Sequence, residues 1–171
     1  MADAGASKAA GGTDPAAALA RMGIRLPDPP APLGAYVPVR TVGDMLYTSG
    51  MLPMRDGAVA YTGRVGAELS VAQGAEAAEL CARNAVAAVA AELGGVDQLA
   101  RVRQIVQVTG HVLCAAGFAD QPAVVDGASR WLAAVFGERG RHTRLALGAF
   151  ALPKGAAVEL ALVLRIEPAG P

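Results

Sequence analysis

The sequence predicts an α+β domain: one mixed six-stranded sheet with two helices packed on one of its faces. Three observations carry this. Short runs of period-two alternation open and close the central region, two apolar stretches between them repeat at helical spacing, and the order is three strands, helix, strand, helix, two strands. At 171 residues the chain is close to one average domain, and two separate cores would each be small.

Residues 1–13 are small and polar and read as a mobile tail. Asp14-Pro15 supplies an N-cap with Pro at the first helical position, and a short helix then runs to Gly23. The four prolines of residues 26–34 forbid helix and central strand and impose an extended path, so residues 14–35 form an N-terminal extension to a domain over 36–168. YVPVRTV and MLYTSGML, separated by Gly43-Asp44, make a hairpin, and GAVAYTG at 57–63 offers a third strand. Ser70 stands three residues before Gln73 as a capping box, opening a long Ala-rich helix that Gly94-Gly95 ends. Residues 101–113 alternate as a strand, Gln121 to Phe136 repeat at helical spacing, and the stretches 142–152 and 156–167 are two more strands.

Composition narrows the function. Hydrophobic residues at 53% and charged residues at 18% supply enough apolar surface to offset the ordering entropy. The 15 basic and 15 acidic residues cancel, so no global field steers the chain to nucleic acid or to an acidic membrane. Thirteen of the basic residues are Arg beside many alanines, which reads as the codon bias of a GC-rich genome. Cys81 and Cys114 lie 33 positions apart with no His at ligand spacing, which argues against a disulfide framework or a metal site, and no cofactor is implied. The N-terminus lacks an apolar leader and no run of 18 apolar residues occurs, so a cytoplasmic protein is expected.

Alternation in 156–167 puts Val158, Leu160, Leu162 and Leu164 on one side and Glu159, Ala161, Val163 and Arg165 on the other. The second face is still substantially apolar, as a face covered by another subunit would be.

The strings APLGAY (31–36), VGDMLYTSGMLP (42–53), GRHTRLALG (140–148) and LPKGAAVEL (152–160), with the Ala-rich helix between, resemble the reactive intermediate deaminase (Rid) or YjgF-like family, also described as endoribonuclease L-PSP. The resemblance implies a chorismate-mutase-like fold and a homotrimer whose sheets form a barrel with ligand clefts between subunits. It implies that Arg144 holds a substrate carboxylate and that Glu159 handles the water. Tyr36, Ser49, Gly50 and, at a position usually held by Asn, Asp126 match its binding residues. Ala146 stands where the better-studied branch has Cys, which marks a divergent branch.

The chemistry fits those residue types. Arg presents a planar fork that donates two parallel bonds to a carboxylate. Anchoring that end places the adjacent C=N bond of a 2-imino or 2-enamino acid for attack by water, which Glu159 can deprotonate. Backbone N–H groups near Gly50 and Ala146 can assist. Structural roles stand beside these: a surface ion pair for Arg144, an inter-subunit salt bridge for Glu159, an aromatic plug for Tyr36, and a first-turn dipole contact for Asp126. His111 and His142 read as hydrogen-bonded structural residues, Ser49 lacks a matched His–Asp pair, and both cysteines read as buried, inert thiols. Three functions follow: hydrolytic deamination of imines to 2-keto acids and ammonia, non-catalytic binding of small carboxylates by a trimer, or, least supported, ribonuclease action through Arg139, Arg141 and Arg144 without interleaved aromatics.

Overall fold

The computed structural model describes residues 13–29 and 34–168, so the tail over 1–12 and residues 30–33 of the Pro-rich stretch lie outside the described residues. Helix α1 (Pro15–Arg21) begins where Asp14 accepts from the Ala16 N–H at 3.1 Å. It buries Ala18 and Leu19, and the chain leaving it packs Ile24 and Leu26 against the core. Arg139 donates to the Thr13 carbonyl and to those of Ala100 and Val102, tying the extension down. One member of the arginine trio is thereby committed to structure.

Strands β1 (Val39–Val42) and β2 (Met45–Thr48) form the expected hairpin, with Gly43 at φ +63° in the turn. The third strand departs from expectation. Residues 54–59 fold into a separate two-stranded hairpin, β3 (Met54–Arg55) and β4 (Ala58–Val59), closed by Asp56 and Gly57 at φ +51° and +79°. Gly63 and Gly66, also at positive φ, break the extended path beyond it, and the main sheet has five strands rather than six.

Helix α2 (Val71–Leu93) carries the capping box of Ser70 and Gln73 at its start and left-handed Gly94 at its end. Strand β5 (Val102–Leu113) follows, then α3 (Gln121–Phe136), β6 (Thr143–Ala149) and β7 (Val158–Ile166). The order across the sheet is β1-β2-β7-β5-β6, antiparallel except for the β5–β6 pair, which needs the α3 crossover because parallel neighbours cannot be joined by a hairpin.

Both long helices cover one face. Val108, Val112, Leu160, Leu162 and Leu164 are fully or almost fully buried beneath them. The layer is tight because small residues line the contact: a Cβ at Gly127 would stand 2.0 Å from the Ala75 carbonyl oxygen, and one at Gly110 2.7 Å from Val125 Cγ2. Asn84, the buried polar residue of α2, donates to the carbonyls of Leu52 (2.9 Å) and Met54 (3.1 Å) and so fixes the small hairpin to the helix. The other face of the sheet is open and apolar, with Val42, Tyr47, Leu145 and Leu147 exposed. Among the described residues no helix is long and apolar enough to cross a membrane.

The Gly127 contact gives a direct test of this packing. Gly127→Ala must push α2 and α3 apart against backbone, and we expect a loss of about 1–3 kcal/mol, read from the midpoint of chemical denaturation at unchanged slope.

Candidate functional site

The pairing register decides what each candidate side chain faces. Arg144 on β6 lies beside Val108 of β5, which in turn pairs with Leu162 of β7, so all three point to the helix side. There Arg144 Nη1 donates to Asp126 Oδ1 at 2.5 Å and to Ser129 Oγ at 3.1 Å. Positions 126 and 129 are one helical turn apart on α3, which lets both meet one guanidinium. Asp126 thus sits in the second turn of its helix, not the first, and its partner is a cation rather than the helix terminus. Arg144 is 24% and Asp126 45% exposed, so the pair borders solvent.

The contacts extend to His142. Its Nδ1 lies 2.6 Å from the Gly140 carbonyl, which can only accept, so Nδ1 carries the proton. In the neutral ring Nε2 then accepts from the Ser129 hydroxyl at 3.0 Å, and that hydroxyl oxygen receives the Arg144 N–H. Every donor in the chain Arg144, Ser129, His142 points one way. Burial, with the nearby Arg144 charge adding to it, lowers the His142 pKa below its ordinary 6.5, against an opposing contribution from the Gly140 bond. His142 is the hydrogen-bonded structural residue expected, but it orients a candidate site.

Glu159 lies on the opposite face. It pairs laterally with His111 of β5, which pairs with Leu147 of β6. Its carboxylate covers Gly50, where a Cβ would stand 2.1 Å from Oε1. Reciprocal backbone bonds between Met51 and Leu160 hold that approach. A side chain at position 50 would have to displace the Glu159 carboxylate from this place. Tyr36 and Gly50 line a cleft of 480 Å³ together with Met51, Leu52, Asn84 of α2 and Pro27 and Pro29 of the extension, and Glu159 is not among its lining residues. Ser49 donates its hydroxyl to the Val37 carbonyl at 2.7 Å, a bond that closes the first hairpin.

Ala146 follows Arg144 on the helix side, beside Gly110, and its methyl packs against the core. Cys81 is buried with its thiol 3.5 Å from the Val158 carbonyl, and burial, with the Glu159 charge second, raises its pKa well above the ordinary value. Cys114 is only partly buried, 3.6 Å from Gln121 Nε2, contrary to the expectation of two buried thiols.

Within one chain, then, the structure joins Arg144 to Asp126 and Glu159 to Gly50 and leaves these two pairs on opposite faces. Ser129 was not among the sequence candidates, although its spacing from Asp126 was visible. Because the folded state resists protonation of His142, stability is complete above pH 6.5 and falls as pH drops toward the depressed folded value. We expect the thermal midpoint to decline between about pH 7 and 5, and less steeply in His142→Gln, by calorimetry at matched ionic strength.

Residues 16–165 match the family described as "YjgF/chorismate mutase-like, putative endoribonuclease". Protein TCP17 of Trypanosoma cruzi is 41% identical over 153 residues, spanning 89% of this chain and 94% of its own. Among solved structures, Agrobacterium tumefaciens Atu1372, a protein of unknown function, superposes with a TM-score of 0.83 at 40% identity over 90% of this chain and 94% of its own. A "putative endoribonuclease" from Shewanella oneidensis MR-1 superposes at 0.84 with 32% identity over 89% and 99%. With a match over nearly the whole described chain and the same arrangement of sheet and helices, this protein belongs to the YjgF/chorismate mutase-like family.

Proposed function

We propose that the protein is a homotrimeric hydrolase that deaminates reactive 2-imino and 2-enamino acids to 2-keto acids and ammonia in clefts between subunits. The observation that carries this reading is the division of the two functional groups between the faces of one sheet. Arg144 and Glu159 cannot meet one small ligand within a chain, whereas the exposed Val42, Tyr47, Leu145 and Leu147 give the Glu159 face an apolar surface suited to burial against a neighbour. A cleft so assembled holds an anchor from one subunit and a base from the next.

In that cleft Arg144 fixes the substrate carboxylate through the Nη2 and Nε groups, which have no partner among the described residues. Water adds to the imine carbon of the protonated substrate as the C=N π pair moves to nitrogen, and the water proton passes to Glu159. Glu159 returns it to the amino group, the C–N bond breaks, and the hydroxyl proton leaves as the carbonyl forms. The products are a 2-keto acid and ammonium. Such imines hydrolyse unaided, so positioning and one proton relay are sufficient. Ribonuclease action finds less support, since Arg139 is spent on three backbone carbonyls and the chain's net charge is zero.

Light scattering should give three times the chain mass at micromolar concentration, and a stable monomer would remove the cleft. In an assay on freshly generated 2-imino acids, Arg144→Ala should lose the anchor's charge-assisted bonds, about 1.5–3 kcal/mol or roughly ten- to a hundredfold in kcat/KM, with Arg144→Lys recovering part. Glu159→Gln should lower kcat and leave 2-keto acid binding nearly unchanged. A wild-type protein that binds 2-keto acids without turning over imines is instead a carboxylate binder.

A further inference from the structure

We propose that Asp126 and Arg144 act as a paired recognition element for a zwitterion, a carboxylate with a cationic nitrogen on the adjacent carbon, and so select the protonated 2-imino acid over its 2-keto product. This rests on the deaminase reading above and names the charge state of its substrate. Arg144 does not offer an uncompensated positive charge, because the Asp126 carboxylate is bonded to the same guanidinium at 2.5 Å. A simple monoanion placed on Arg144 meets that carboxylate as a like charge. Asp126 itself is almost half exposed, and its Oδ2 has no partner among the described residues. It sits in the second turn of α3, beyond the terminal N–H groups that would otherwise satisfy it.

Two acceptors on α3 hold Arg144 Nη1. Ser129, oriented by His142, holds Nη1 from a second direction, so the guanidinium presents its remaining N–H groups while Asp126 presents one acceptor oxygen beside them. A protonated 2-imino acid matches that pattern, since its carboxylate takes the Arg144 N–H groups and its N–H donates to Asp126. The 2-keto product places a carbonyl oxygen where the nitrogen was and turns a bond into a repulsion. Buried or half-buried sites reject analogues that leave a polar group facing a like one. The protonated imine is also the form that water attacks, so the same contact holds the reactive species and releases the product.

The test compares two three-carbon probes, pyruvate and L-alanine, by calorimetric titration of wild-type trimer and Asp126→Asn, with pyruvate inhibition of 2-imino acid hydrolysis measured alongside. Wild type should bind alanine about tenfold or more tightly than pyruvate. Asp126→Asn, close in shape, should lose that preference and be inhibited by pyruvate about tenfold more strongly. An alanine-to-pyruvate ratio unchanged by the substitution, or a wild-type preference for pyruvate, overturns the inference while Arg144-dependent imine turnover would leave the deaminase reading standing. Absence of both imine turnover and any Arg144-dependent binding overturns the two together.

Discussion

Side chains alternate along a β-strand, and in this protein the alternation of β6 and β7 is locked to that of β5 by pairing on both of its edges. From Gln107 to Val112 the three strands run in continuous register, after two irregularities between Val102 and Gln107 have been absorbed. A slip of one residue would exchange Arg144 with its neighbours on the other face and expose Leu160 and Leu162. That slip is opposed by the whole helix layer. The helices α2 and α3, which meet through Gly127 and Ala75 at backbone distance, cover one face, and the large buried residues Leu160, Leu162 and Leu164 lie on that face. Core packing therefore decides the geometry of the functional groups: Arg144 must look toward α3 and Glu159 must look away.

The Arg144–Asp126 pair adds little to the stability of this frame. Ion pairs at partly exposed positions are worth about 0–1 kcal/mol, against the several kcal/mol that buried Leu and Val side chains supply. Its effect is on orientation and on local charge. The proton of His142 on Nδ1, fixed by the Gly140 carbonyl, sets the direction of the Ser129 hydroxyl and through it one edge of the guanidinium. A single structural histidine thus helps to set how the Arg144 guanidinium is held.

Much of this was legible in the sequence. Ser70 with Gln73, Gly94, and the apolar repeat from Gln121 to Phe136 mark the long helices at the ends observed, and the alternation of β7 correctly separates Leu160 from Glu159. The third strand failed because Gly63 and Gly66 adopt positive φ and the Asp56-Gly57 turn closes a hairpin of its own, neither of which periodicity reports. Arg144 and Glu159 stood out through resemblance, but their placement on opposite faces depends on which β5 residue each strand pairs with, and a sequence does not display pairing register. Asp126 stands out through the same resemblance, and the first-turn position that its alternative role requires is not where the helix places it. Its link to Arg144, Ser129 and His142 spans an entire crossover, where no local pattern reaches.

The central claim is that each working site takes Arg144 from one subunit and Glu159 from the next, and subunit complementation tests it directly. Arg144→Ala and Glu159→Gln chains are co-expressed with different tags, mixed trimers are isolated through both tags, and imine hydrolysis is compared with that of each parent variant. If the groups act across subunits, every isolated mixed trimer has one boundary at which the intact Arg144 of one variant meets the intact Glu159 of the other, so about a third of its sites are restored and the mixed trimers exceed either parent. Mixed trimers no more active than their parents would contradict the account, because both groups would then have to come from the same chain.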